Sequence, residues 1–225
     1  PDQEWNSYGL DLSNQRFSRI TQINKTNVET LEMAWQVQTG VPATFQSTPI
    51  VHEGVMFVSL PFNNVLALDA KTGNEIWRYE HDLNPNWKLC CGPSNRGVAL
   101  QGKQLFFGTV DARLISLNIK TGEKIWDINV VKNNVETESI SDLDESDANS
   151  DKQISGGTGV GISMAPVVYN GKVIIGITGV GYGLHVEEEG ANTPLGAVVG
   201  VSGKYGRSGF LLSLIHISEP TRQFR

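Results

Sequence analysis

One unit of this sequence occurs twice. Leu66-Ala67-Leu68-Asp69-Ala70-Lys71-Thr72-Gly73-Asn74-Glu75-Ile76-Trp77 returns as Ile115-Ser116-Leu117-Asn118-Ile119-Lys120-Thr121-Gly122-Glu123-Lys124-Ile125-Trp126, offset by 49 positions at the Thr, the Gly and the Trp. Each copy reads as a strand, a Lys-Thr-Gly turn and a second strand that reaches Trp. Glycine in the turn supplies the positive φ of a tight hairpin. A further strand precedes each copy, Gly54-Val55-Met56-Phe57-Val58-Ser59 and Gly102-Lys103-Gln104-Leu105-Phe106-Phe107-Gly108. A third opening, Ala165-Pro166-Val167-Val168-Tyr169-Asn170-Gly171, matches Thr48-Pro49-Ile50-Val51-His52-Glu53-Gly54. Trp35, earlier in the chain, reads as the outer-strand Trp of a preceding unit.

Short antiparallel strands that recur every forty to fifty residues are the signature of β-propeller blades. A single blade cannot bury both faces of its sheet and needs neighbours. The expected fold is therefore all-β, with about three blades in this chain. An unrelated β-sandwich with a chance repeat is the competing architecture. The 24 glycines fit short strands joined by turns.

Several function classes fall away. The net charge is −6 and no basic stripe with interleaved aromatics occurs, which argues against nucleic-acid binding. No apolar run reaches the length of a transmembrane helix. No signal peptide is visible ahead of Pro1-Asp2-Gln3, which reads as a mature or trimmed start. Gly156-Gly157-Thr158-Gly159-Val160-Gly161 does not open a helix after a strand, so it is no dinucleotide fingerprint. There is no Cys-x-x-Cys-His, hence no covalent haem site.

The two cysteines are adjacent, Cys90 and Cys91. They are either two thiols or one vicinal disulfide. A disulfide across a single peptide bond is strained and closes almost no loop, so it contributes little stability through chain entropy. Strain without a stability role points to function. Their setting, Cys90-Cys91-Gly92-Pro93-Ser94-Asn95-Arg96-Gly97-Val98-Ala99, closely resembles the vicinal-disulfide segment of pyrroloquinoline quinone (PQQ)-dependent alcohol and methanol dehydrogenases. Trp5, Gly9, Phe17, Ser18, Asn24, Asn27, Val28 and Leu31 resemble the N-terminal signature of the same family, while Leu10 and Glu32 depart from it.

The resemblance implies N-terminal blades of an eight-bladed quinoprotein propeller, truncated, and a disulfide between Cys90 and Cys91 that forms a flat wall against PQQ. It assigns Arg96 to the quinone oxygens, a role that suits a permanent charge with donors in a fixed fork. Ser163 matches a hydroxyl that bonds a PQQ carboxylate, and Thr178 and Gly179 match the next hydroxyl and backbone contacts. Gln46 stands where the family often has Glu, and it brings no charge. The family's calcium- or lanthanide-ligating Glu falls at Gly181, which has no oxygen ligand to offer. Either the metal site is rebuilt or a nearby acid substitutes; Glu187, Glu188 and Glu189 follow soon after, though they read more simply as a solvated turn.

Two segments lie outside the repeat. Residues 134–153 read as a solvated acidic loop insertion, with seven acidic residues and no basic one between Glu136 and Asp151. Asp142-Leu143-Asp144-Glu145-Ser146 begins like a calcium loop, but Asp147 stands where that loop needs Gly. Residues 211–225 resemble translated adapter read-through, so the partial propeller is assigned to residues 1–210. The implied activity of the whole protein is PQQ-dependent oxidation of an alcohol or related hydroxyl compound in the periplasm, with a cytochrome c as electron acceptor. The family's catalytic base falls at no position of this chain, so the polypeptide alone is expected to be inactive. The alternatives are a non-catalytic propeller scaffold and a degenerate quinoprotein without the metal.

Overall fold

A computed structural model of the chain describes residues 4–83, 92–130, 161–178, 196–202 and 210–211. Cys90, Cys91, the acidic insertion, Gly179, Gly181, the three glutamates at 187–189 and residues 212–225 lie outside the described residues. Three four-stranded antiparallel sheets follow one another along the chain. The first holds β1 (Ile50–His52), β2 (Val55–Ser59), β3 (Val65–Asp69) and β4 (Glu75–Tyr79). The second holds β5 (Ala99–Gln101), β6 (Gln104–Gly108), β7 (Arg113–Asn118) and β8 (Lys124–Asn129). The third holds β9 (Val167–Tyr169), β10 (Lys172–Thr178), β11 (Gly196–Ser202) and β12 (Phe210–Leu211). In each sheet the spatial order equals the chain order, the meander of a propeller blade.

The sequence repeat is a structural repeat in detail. The register slips between Ala67 and Leu68 in the first sheet and between Ser116 and Leu117 in the second, the same place in each copy. Asp69 Oδ1 accepts from the Lys71 and Thr72 N–H groups at 3.0 and 2.8 Å, which shapes the Lys-Thr-Gly turn. Asn118 does the same for Lys120 at 2.9 Å. Glu53-Gly54 and Asn170-Gly171 take positive φ at both positions, as a two-residue hairpin turn requires.

Alternation along the strands explains why one blade needs two neighbours. On β6, Leu105 and Phe107 face the first sheet, packing with Ile50, Phe57, Val65 and Trp77. Phe106, between them, faces the third sheet and joins Leu114, Val173, Ile175 and Ile177. Both faces of the second sheet are therefore apolar and buried, where a solvated sheet would carry polar residues on one face.

Tryptophan joins one blade to the next. Trp77, 8% exposed, leaves the first sheet and lies on the turn of the second. Its Nε1 donates to Ile119 O at 3.1 Å, and a Cβ on Gly122 would stand 2.6 Å from its ring. Trp35 repeats this on the first sheet: Nε1 donates to Ala70 O at 3.2 Å, and a Cβ on Gly73 would stand 2.7 Å from the ring. Trp35, Val37 and Val41 cover the outer face of the first sheet, where a preceding blade is expected. Residues 31–39 nevertheless form no strand, because none of the described residues offers them a paired edge. Among the described residues no helix is long and apolar enough to cross a membrane.

Candidate functional site

The segments that enter the three innermost strands meet at one end of the sheets. Thr48 precedes β1, Arg96 precedes β5 and Ser163 precedes β9. Their backbones are bonded in series: Thr48 N–H donates to Arg96 O at 3.1 Å, and Arg96 N–H donates to Ser163 O at 3.0 Å. Such close approach demands glycine after Arg96. Gly97 has φ +148°, and a Cβ there would stand 3.2 Å from Ala165 Cβ and 3.4 Å from Thr48 O.

Side chains fasten the same junction. Arg96 Nη1 donates to Ser163 Oγ at 2.8 Å, so two residues singled out from sequence are bonded to each other across 67 positions. Buried Asn95 holds Arg96 from behind: its Nδ2 donates to Gly108 O at 2.7 Å, and its Oδ1 accepts from Gly97 N–H at 3.0 Å. The Ser59 hydroxyl has Ser47 Oγ at 3.0 Å and Asn95 O at 3.3 Å within reach. Gln46, next to Ser47, is exposed, and no hydrogen bond joins it to Arg96 or Ser163. Thr178 closes β10, opposite Gly196 of β11.

Positive charge gathers here. The Arg16 guanidinium lies 4.5 Å over the Tyr8 ring. Its hydrogen bond holds the Tyr8 hydroxyl below the usual phenol value, against burial, with a further bond to Thr48 and the charges of Arg16 and Arg96 contributing. Among the described residues neither Arg16 nor Arg96 has a carboxylate partner. Tyr8 also lines a cleft of 560 Å³ along the inner strands, with His52, Leu100, Gln101 and Val167. Arg96 and Ser163 do not line that cleft. The N-terminal signature locates the family in the sequence but gives no sign of the Tyr8–Arg16 contact.

A second feature that local pattern does not disclose is a buried histidine–aspartate pair at the same end of the sheets. His81 Nε2 lies 3.1 and 3.0 Å from the two Asp111 oxygens, with side chains 6% and 14% exposed. Burial pushes the Asp111 carboxyl up, but hydrogen bonds from His81 and Thr109 outweigh it and the group sits below its ordinary 3.8. A lowered carboxylate contributes stability above its unfolded value and loses it as pH falls through the folded one. The melting temperature is therefore expected to fall as the pH drops through the ordinary carboxylate value of 3.8 and below, and to fall less steeply in Asp111→Asn, as thermal melts in acid will record.

Residues 5–202 match the β-propeller domain of the glucose/ethanol/alcohol dehydrogenases that use PQQ. The chain belongs to this quinoprotein family. The quinohemoprotein alcohol dehydrogenase ADH IIB of Pseudomonas putida is 36% identical to it over 183 residues, 80% of this chain and 23% of that protein. The quinoprotein alcohol dehydrogenase PedH of Pseudomonas putida is 34% identical over 78% of this chain and 26% of its own length. The crystal structure of the Comamonas testosteroni quinohemoprotein alcohol dehydrogenase superposes with a TM-score of 0.64 at 34% identity, covering 79% of this chain and 23% of that one. A europium-containing methanol dehydrogenase gives 0.64 at 25% identity, covering 87% and 32%. The quinoprotein chain thus spans about a quarter of the length of the curated relatives it matches, consistent with a truncated propeller.

The junction presents a guanidinium and a hydroxyl, donor types that an anionic quinone with carbonyl and carboxylate oxygens would need. Arg96 carries a charge that no described carboxylate neutralises, and the Ser163 hydroxyl is in contact with it. Among the described residues no three His, Cys, Asp or Glu side chains cluster to hold an ion.

Proposed function

We propose that this chain supplies the first blades, one wall and part of the rim of the cofactor site in a PQQ-dependent oxidoreductase acting on an alcohol or related hydroxyl compound. When bound, PQQ would accept the two electrons and two protons of that oxidation. The observation that carries the reading is the Arg96–Ser163 contact, held by the Thr48–Arg96–Ser163 backbone series.

In this reading the Arg96 fork holds the quinone oxygens and Ser163 a carboxylate. Thr178 and Gly179 add a hydroxyl and a backbone N–H, and Gln46 adds a neutral amide. Cys90 and Cys91, joined as a disulfide, form the flat wall. A disulfide persists in an oxidising compartment, which favours the periplasm. A calcium or lanthanide ion would need a ligand other than Gly181, and metal analysis of the purified holoprotein checks whether one is present. Relatives named quinohemoprotein alcohol dehydrogenase and 1-butanol dehydrogenase (cytochrome c) support a cytochrome as electron acceptor. No residue of 1–225 is assigned as the catalytic base.

PQQ titration of the full-length polypeptide, before and after reduction of Cys90 and Cys91, tests the reading. Saturable binding that weakens on reduction is expected; no binding in either state leaves a propeller scaffold instead. The 225-residue chain alone is expected to reduce no dye with PQQ and an alcohol, and turnover in that assay would refute the assignment of the base elsewhere.

A further inference from the structure

The His81–Asp111 pair touches neither Arg96 nor Ser163, yet both hang from the turn that it holds. Asp111 lies in the turn between β6 and β7. Gly108 O, at the last residue of β6 before that turn, accepts Asn95 Nδ2 at 2.7 Å, and Thr109 O, in the turn, accepts Ile162 N–H at 2.8 Å. Asn95 immediately precedes Arg96, and Ile162 immediately precedes Ser163. Each rim residue is thus one position away from an attachment to the same turn.

The turn is fixed in turn to the first blade. Val110 N–H donates to Asn63 Oδ1 at 3.2 Å, and His81 N–H donates to Asn64 Oδ1 at 3.0 Å. His81 follows β4, so its imidazole carries the first blade's exit onto the second blade's turn. The rest of this blade interface combines apolar packing, such as the edge contact of Tyr79 on Phe107 at 5.6 Å, with hydrogen bonds away from the turn, such as Trp77 Nε1 to Ile119 O at 3.1 Å. Apolar burial is non-directional. A hydrogen bond from one imidazole nitrogen shared by both oxygens of a carboxylate is directional. Desolvation cancels much of the stability such a buried pair would otherwise give, so geometry is its main contribution.

We propose that His81 and Asp111 form a positioning pair that fixes the placement of Arg96 relative to Ser163, and through it the shape of the edge offered to an anionic quinone. The second clause rests on the cofactor reading of Arg96 and Ser163; the first does not. Neither residue of the pair is catalytic.

Amide hydrogen exchange on the full-length polypeptide tests the first clause. The variants are His81→Ala, Asp111→Asn and His81→Gln, which keeps a side-chain N–H donor. Asp127→Asn, which breaks the 2.6 Å pair with Arg113 elsewhere in the blade, is the control. Exchange at the Thr48, Arg96 and Ile162 amides is expected to speed up by about tenfold in His81→Ala and Asp111→Asn, with β2 and β6 unchanged. His81→Gln recovers most of the protection, and Asp127→Asn leaves the three amides as they were. Unchanged amides would overturn the proposal, as would acceleration spread evenly over the strands, which marks a merely structural pair. PQQ titration of the same proteins separates the clauses. Local acceleration with weaker PQQ binding supports both; local acceleration with undiminished binding keeps the positioning pair and removes the quinone from its role.

Discussion

Replacing Trp77 with alanine is expected to lower the unfolding free energy of the chain by about 3–5 kcal/mol, the usual range for a large aromatic removed from a packed interior. The ring joins two cores. It packs against Phe57 at 5.9 Å within its own blade and covers the turn of the next. Removing it also leaves Ile119 O without its donor. Urea denaturation gives the size, and an unchanged slope confirms that the same surface is exposed on unfolding. A pair of glycine variants isolates the docking from backbone strain. Gly122 and Gly171 have φ of +73° and +71°, so alanine carries the same left-handed cost at both, about 1 kcal/mol. Nothing lies within 4 Å of a Cβ at Gly171, whereas the Trp77 ring lies over Gly122. Gly122→Ala is expected to cost clearly more than Gly171→Ala, and equal costs would mean that the ring shifts freely and contributes no docking.

That contact also shows what the sequence discloses. Lys-Thr-Gly and the following Trp are read within a few residues, since a turn and a strand are local properties. The repeat then implies blades, because an apolar strand with two buried faces needs sheets on both sides. The register slip at Ala67 and again at Ser116 could not be read, but its recurrence follows from the repeat. Trp35 reads from sequence as an outer-strand Trp; residues 31–39 form no strand, yet its ring lies on Gly73 as that of Trp77 lies on Gly122.

Partners between blades are less legible. His81 meets Asp111 across 30 positions and Arg96 meets Ser163 across 67. Neither pairing follows from local pattern, since it depends on how far two blades are rotated about each other. The resemblance compensated for Arg96 and Ser163, whose motif is specific. It did not for His81, Asp111, Tyr8 and Arg16, which sit in segments without a repeat. Gln46 shows the opposite: its position in the motif was clear, yet its side chain is exposed and unbonded to the other rim residues.

Arg96 carries the other large expected effect. Arg96→Met in the full-length polypeptide is expected to weaken PQQ binding by about 100-fold, the loss of a charge-assisted contact at roughly 1.4 kcal/mol per factor of ten. Arg96→Lys keeps the charge but not the fork, and is expected to recover only part of this, weakening binding by about 10-fold. The reason is geometric. Arg96 must bond Ser163 Oγ through Nη1 and still present donors to a second group, and a planar guanidinium can do both in one orientation. A lysine ammonium on a flexible stem is fixed by neither. Equilibrium titration with PQQ, with hydrogen exchange at the Thr48 amide as a check that the junction is intact, gives the comparison. If lysine bound PQQ as well as arginine does, charge alone would suffice, and the contact with Ser163 would be structural.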